Sequence, residues 1–252
     1  MQPFELTNEQ KEQYWEEGYT VVRGFMSEAE LAPLRQHARN FLEGDHDWPD
    51  THFQILNPEE YQNPRGGFLP TGVQGPAQRE EDFRRIAEHP RLQATMSQLL
   101  GGEVEKYTDQ FLIRHGLLKE GQGGRSFYHQ DSYYWHLEPQ RGCNAWITLN
   151  EVGAEAGALG IMPGTQKDWT LAEHETYYDE PSYHVAANGR AFQRHRIPHE
   201  KIDQSRDLIL PMQAGDAAFF TNFTWHRAEP NFTGQDQCAY AIAYQLRQDE
   251  KE

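Results

Sequence analysis

His129 and Asp131, separated by one residue, are answered from far along the chain by His226. Side chains alternate faces in an extended strand, so the imidazole and carboxylate of Phe127-Tyr128-His129-Gln130-Asp131 are expected to point the same way. A second imidazole, delivered by Thr224-Trp225-His226, would complete a facial set of two histidines and one carboxylate. Such a set occupies one side of an octahedral Fe(II) ion and leaves three positions open. The chemistry therefore demands a fold in which strands distant in sequence lie side by side.

The chain's 252 residues suffice for one large domain with a real core. A formal net charge of −16 argues against nucleic acid and against an anionic membrane surface, while leaving room for a small anionic substrate in a locally basic pocket. The sequence has no long apolar run and no charged-then-apolar leader, which predicts a soluble, cytoplasmic protein. Cys143 and Cys238 sit in apolar strand-like runs and are expected as buried free thiols.

From Leu6 to Leu42 the pattern predicts two helices around one strand. Thr7-x-x-Gln10 and Ser27-x-x-Glu30 are capping boxes, and Tyr19-Thr20-Val21-Val22-Arg23 between them is β-branched and aromatic. Residues 44–78 are rich in proline and glycine, so short elements forming a lid or wrapped connection are expected, with His46 and His52 on the surface. A helix over residues 80–100 is split by Pro90 and ended by Gly101-Gly102. Strands then follow: 106–114, the ligand-bearing segment after a turn at Gly116, Gly121, Gly123 and Gly124, then 144–149, 158–162, 208–210, 217–220 and 239–244. Tyr133, Tyr134 and Trp135 follow the ligands as an aromatic wall that either shapes a substrate pocket or packs as ordinary core, and His136 would need a tight reversal to join the metal. Residues 169–206 are a polar insertion containing His174, His184, His195 and His199. Arg190, Arg194, Arg196, Lys201 and Arg206 make it basic, which suits either a solvated loop or a lid that meets an acidic substrate group. No repeat or linker divides the chain, which reads as a single domain over 1–252: a mainly helical support and lid over 1–102, then a β core over 103–252.

With these segments in order, the chain resembles the phytanoyl-CoA dioxygenase family of Fe(II)/2-oxoglutarate oxygenases. The resemblance rests on Leu6-Thr7-x-Glu9-Gln10 leading to Gly18-Tyr19-Thr20-Val21-Val22-Arg23-Gly24, and on His89-Pro90-Arg91-Leu92 leading to Leu99-Leu100-Gly101. It continues through His129-Gln130-Asp131, Gly157-Ala158-Leu159 and Pro163-Gly164-Thr165-Gln166-Lys167 to His226 with Pro230-Asn231, in the family's order and near its spacing. It implies a mainly β fold with flanking helices, a double-stranded β-helix or jelly-roll of two facing sheets. It also implies a catalytic Fe(II) held by His129, Asp131 and His226, with 2-oxoglutarate and dioxygen as co-substrates. A small-molecule substrate would be oxidised, typically hydroxylated, as succinate and carbon dioxide are released. Asp131 argues for oxygen insertion over halogenation, because halogenating relatives lack the carboxylate. Gln110, Gln130 and Trp146 fall where the family lines its 2-oxoglutarate pocket.

Two positions depart from the family. Where an arginine usually pairs with the far carboxylate of 2-oxoglutarate, this chain has Gln237, and where a serine often supports that carboxylate it has Ala228. A charge-assisted pair is missing where one is expected. Arg114, on a neighbouring strand, is the first candidate to replace it, with Arg227 and Arg247 behind. Gln237 also leaves open an iron-dependent oxidase or isomerase that does not use 2-oxoglutarate, or a metal-binding protein without turnover.

Overall fold

The computed structural model of the protein describes residues 4–44, 51–55, 68–116, 126–177, 184–185 and 193–247. His46, Arg190, Gly121, Gly123 and Gly124 lie outside the described residues, as do the side chains of His52 and His184.

Both capping boxes form. Thr7 and Gln10 close the start of α1 (Asn8–Glu17), and Ser27 and Glu30 that of α2 (Glu28–Glu43), with β1 (Tyr19–Val22) between them. The proline-rich stretch holds more regular structure than its composition predicts, namely β2 (Thr51–Ile55) and the seven-residue β3 (Phe68–Gln74). Pro70, which cannot donate to a ladder, is accommodated on β3 because pairing with the next strand begins at Gly72 and the β2–β3 register shifts at His52/Phe53. Pro90 divides the following helix into α3 (Glu81–Ala87) and α4 (Pro90–Leu100), and Gly101 caps the second in the left-handed conformation.

The remaining elements are β4 (Val104–Arg114), β5 (Ser126–His129), the short α5 (Ser132–Trp135), β6 (Gly142–Thr148), β7 (Leu159–Met162), β8 (Glu175–Tyr177), β9 (His184–Val185), β10 (Arg194–Arg196), β11 (Leu208–Leu210), β12 (Ala217–Thr221), β13 (Trp225–Ala228) and β14 (Gln237–Leu246). Eight strands make one sheet in the order β1-β12-β6-β14-β4-β3-β2-β9, and four make a second, β11-β7-β13-β5. The sheets face each other as a jelly-roll. Strands β8 and β10, from the polar insertion, pair as a separate two-stranded ribbon. None of the described helices is long and apolar enough to cross a membrane.

Period-two alternation in the large sheet separates the core from the cavity. On β14, Cys238, Tyr240, Ile242 and Tyr244 pack with α-helical residues such as Phe83, Leu92 and Met96, while Ala241 and Ala243 face an interior cavity. Large side chains outside and alanines inside leave a hollow between the sheets. Cys143 and Cys238 are buried free thiols, and burial pushes both up to about 12.

Candidate active site

A cavity of about 480 Å³, a size suited to small molecules, opens between the sheets with His129, Asp131 and His226 in its wall. His129 ends β5, and His226 lies directly opposite it on β13, so the ladder itself sets the two rings side by side with centroids 4.3 Å apart. Asp131 arrives differently from the strand-alternation expectation. The strand stops at His129, and Asp131 sits at the start of α5 with helical dihedrals, φ −65 and ψ −31. The turn still delivers the carboxylate, with oxygens 3.9 Å from Nε2 of His129 and 3.6 Å from Nε2 of His226.

Each imidazole is oriented through its other nitrogen. Nδ1–H of His129 donates to the Phe127 carbonyl at 2.8 Å, and that of His226 to the Thr224 carbonyl at 3.0 Å, leaving both Nε2 lone pairs turned inward. Asn144 on β6 donates its amide to Asp131. Burial, with His226 nearby, pushes His129 down to about 3; burial pushes His226 down to about 4. Burial raises the Asp131 carboxyl to about 6, against the pull of His129 and Asn144. At neutral pH the set is therefore two neutral imidazoles and a carboxylate, the protonation state in which N and O donors bind a metal. One donor atom from each residue falls within 4.8 Å of the others, and the three residues fit a divalent iron. His136 stands apart from this cluster, in the left-handed conformation that ends α5.

The strand carrying His226 is fixed from the amino-terminal side. Thr224 donates its hydroxyl to the Gly18 carbonyl at 2.7 Å, and the Trp225 N–H donates to Thr165 at 2.9 Å. Gly18 has φ +82, and a Cβ there would lie 2.4 Å from Oε1 of Gln166 and 2.5 Å from Oγ1 of Thr224. Glycine is required by both backbone and space.

Gln110, Trp146 and Arg114 all line the cavity. Gln130 does not. Its side chain is fully buried and its amide is consumed by the backbone, donating to Thr170 and Phe223 carbonyls at 3.0 and 2.8 Å and accepting from Ala172 N–H at 2.7 Å. A residue between two ligands points away from the metal, and here it clamps the insertion to the ligand loop. Gln130→Ala is expected to cost about 2–4 kcal/mol in urea unfolding while leaving 2-oxoglutarate affinity of the folded fraction within about twofold. A large affinity loss at unchanged stability would return Gln130 to the pocket.

Gln237 is also absent from the described cavity lining, but its register is informative: it pairs directly with Arg114 across the β14–β4 ladder. Ala228 pairs in the same way with Ser126, whose hydroxyl accepts the Ala228 N–H at 2.7 Å. Arg227 is engaged by Asp207 and Glu229, and Arg247 pairs with Glu103 outside the cavity.

Sequence reasoning missed Asn144, although a polar residue in the apolar run 144–149 needs a buried partner and so carried a signal. It also assigned the aromatic wall as a unit. Tyr134 and Trp135 line the cavity, whereas Tyr133 stacks on His174 at 4.3 Å between ring centroids.

The family model for phytanoyl-CoA dioxygenase matches residues 14–238. A methylphosphonate hydroxylase from Gimesia maris is 22% identical over 239 residues, covering 95% of this chain and 80% of the relative. A phytanoyl-CoA dioxygenase domain-containing protein 1 homolog from Caenorhabditis elegans is 25% identical over 130 residues; the match covers 51% of this chain but only 43% of that relative. Among solved structures, EvdO2 from Micromonospora carbonacea complexed with 2-oxoglutarate superimposes with TM-score 0.68 at 21% identity, covering 99% of this chain and 96% of that one. EctD from S. alaskensis with 2-oxoglutarate and 5-hydroxyectoine gives 0.67 at 16% identity, covering 96% and 76%. With its jelly-roll, its inward-turned histidines and a family match spanning most of its length, the chain belongs to the phytanoyl-CoA dioxygenase family of Fe(II)/2-oxoglutarate-dependent oxygenases.

Proposed function

We propose that the protein hydroxylates a small molecule in the cytoplasm, and that it anchors 2-oxoglutarate through Arg114 and Ser126 in place of the family's usual arginine and serine. The observation that carries this reading is the ladder register. Gln237 and Ala228 occupy the family positions, and each faces its substitute on the paired strand, Arg114 and Ser126 respectively. Directly opposed residues on an antiparallel pair have neighbouring Cβ atoms on one face, so a function can cross the rung without leaving its place in space.

Both substitutes line the cavity. The guanidinium of Arg114 is suited to a bidentate grip on a carboxylate. Its stem is braced by Gly157, where a Cβ would come 3.2 Å from Cβ and Cγ of Arg114. Ser126 accepts from the Ala228 N–H and still has its own hydroxyl proton to give. His129, Asp131 and His226 would hold Fe(II), which with the keto acid supplies the oxygen-activating redox chemistry. Trp146, Leu159 and Phe220 give the cavity an apolar wall that excludes water from the reacting groups. The relatives named for hydroxylating methylphosphonate and for oxidising ectoine support a small polar substrate.

Anaerobic titration of the Fe(II)-loaded protein with 2-oxoglutarate tests the reading. A weak visible metal-to-ligand charge-transfer band that saturates is the expected result. Iron binding without a band would leave the oxidase or isomerase alternative standing.

A further inference from the structure

His174, outside the ligand set, repeats the orienting device of the two ligand imidazoles. Its Nδ1–H donates to the carbonyl two residues back, that of Ala172, at 2.9 Å, as His129 does to Phe127 and His226 to Thr224. The device fixes the tautomer and leaves Nε2 as a directed acceptor. In His174 that lone pair receives a proton donor instead of facing the metal site. It accepts the main-chain N–H of Gln130, the residue between His129 and Asp131, at 3.1 Å.

The Gln130 N–H needs such a partner. The β5–β13 ladder ends with His129 opposite His226, so the next amide falls beyond it, at a residue with no solvent exposure. An orphaned N–H there would be costly. At this point the chain also passes from strand at His129 to helical dihedrals at Asp131. Holding the His129–Gln130 peptide plane fixes ψ of the first ligand and φ of the residue that leads to the second. Asn144 holds the Asp131 carboxylate from β6, while His174 holds the main chain that delivers it.

His174 immediately precedes β8, and its ring stacks on Tyr133 with centroids 4.3 Å apart and planes at 28°. The same phenol ring meets His195 of β10 at 4.8 Å. The paired strands of the ribbon are thereby docked on the residue two places after Asp131.

We infer that His174 is a positioning residue for the metal centre: by accepting the Gln130 N–H it fixes the strand-to-helix break that aims Asp131, and so couples iron binding to docking of the β8–β10 ribbon. The inference rests on His129, Asp131 and His226 as the ligands and not on the placement of 2-oxoglutarate.

The test compares two variants. His174→Phe keeps a ring against Tyr133 but offers no acceptor, whereas the Oε1 of His174→Gln stands as many bonds from the backbone as Nε2 and accepts in its place. Fe(II) affinity is measured by anaerobic equilibrium dialysis at a temperature where circular dichroism shows every protein folded. His174→Phe is expected to bind iron about tenfold more weakly, the scale on which outer-shell partners act, and His174→Gln to stay within about threefold of the wild type. The d–d absorption of the Co(II)-loaded proteins, which needs neither 2-oxoglutarate nor oxygen, should be altered in His174→Phe and kept in His174→Gln. Equal affinities and spectra in all three proteins, or equal losses in both variants, would reduce His174 to packing and overturn the inference.

The wild type supplies a second test that does not depend on either variant folding. Amide hydrogen exchange across residues 170–177 and 194–197 is expected to slow about tenfold or more on Fe(II) loading, because coupling between two sites is reciprocal. Unchanged exchange refutes the coupling. Asp131→Ala is the control on the ligand set. Iron retained there removes the ligand assignment and the inference with it, whereas iron lost there but unaffected by His174→Phe removes the inference alone.

Discussion

Asp131→Ala is expected to abolish turnover and to lower Fe(II) affinity by more than the roughly 10–100-fold that loss of an outer-shell partner costs. The carboxylate is the one anionic ligand of the set, and without it the two neutral imidazoles must hold a divalent cation in a buried site. The fold should survive the loss. Burial raises the folded-state pKa of Asp131 to about 6, above its value in the unfolded chain. A raised carboxyl favours the folded state where it is protonated, and that advantage is lost as pH rises through the folded pKa. At pH 7 the ionised group is thus a burden on the metal-free protein, one that the cation relieves. Asp131→Asn, which keeps the volume and an acceptor for Asn144, should melt at or above the metal-free wild type at pH 7. Equilibrium dialysis with Fe(II) alongside thermal melts of the metal-free proteins separates the two effects. Retained iron in Asp131→Ala would refute the ligand assignment. Asn144→Ala should fall between the variants and the wild type, with an iron affinity loss of about 10–100-fold.

Arg114→Gln is expected to weaken 2-oxoglutarate by about 150-fold, equivalent to about 3 kcal/mol, the scale of removing one partner from a buried charge pair. The more discriminating experiment is the exchange. Because Arg114 and Gln237 share one rung of the β14–β4 ladder, Arg114→Gln combined with Gln237→Arg returns the guanidinium to the family's own position. The double variant should recover at least about tenfold of the lost affinity, read from saturation of the charge-transfer band. No recovery, together with a small effect of Arg114→Gln alone, would assign the far carboxylate to another group. Ser126→Ala should add a smaller loss, of about threefold to tenfold, consistent with one neutral hydrogen bond.

The parts of this molecule that sequence made legible are those governed by local chemistry. Thr7 with Gln10 and Ser27 with Glu30 announce helix starts because their side chains satisfy orphan N–H groups within one turn. The metal ligands were legible for a related reason: two histidines and a carboxylate have few other ways to be buried together. What escaped depends on partners far away. Strand β3 contains Pro70 and Gly72, both of low strand propensity, yet pairing with β4 and β2 overrides composition. The path to Asp131 was misjudged because a strand end is set by loss of its partner, which alternation does not reveal. Gln130 carries a family signature whose position fits the pocket, but three backbone groups from two other segments claim its amide. Arg114 was reachable as a candidate; that it faces Gln237 across a ladder is a fact of register and not of spacing.

The carbonyl of Gly18, which receives the Thr224 hydroxyl two residues before His226, ties the first helix of the chain to its last metal ligand. The amino-terminal segment is thereby a foundation course under the iron, laid first and loaded last. Any alteration that tilts α1, whether a fused tag, a deletion or a partner binding along its outer face, would register as a change in the tilt of one imidazole. A binder seated on the outer face of α1 is therefore expected to lower turnover without entering the pocket.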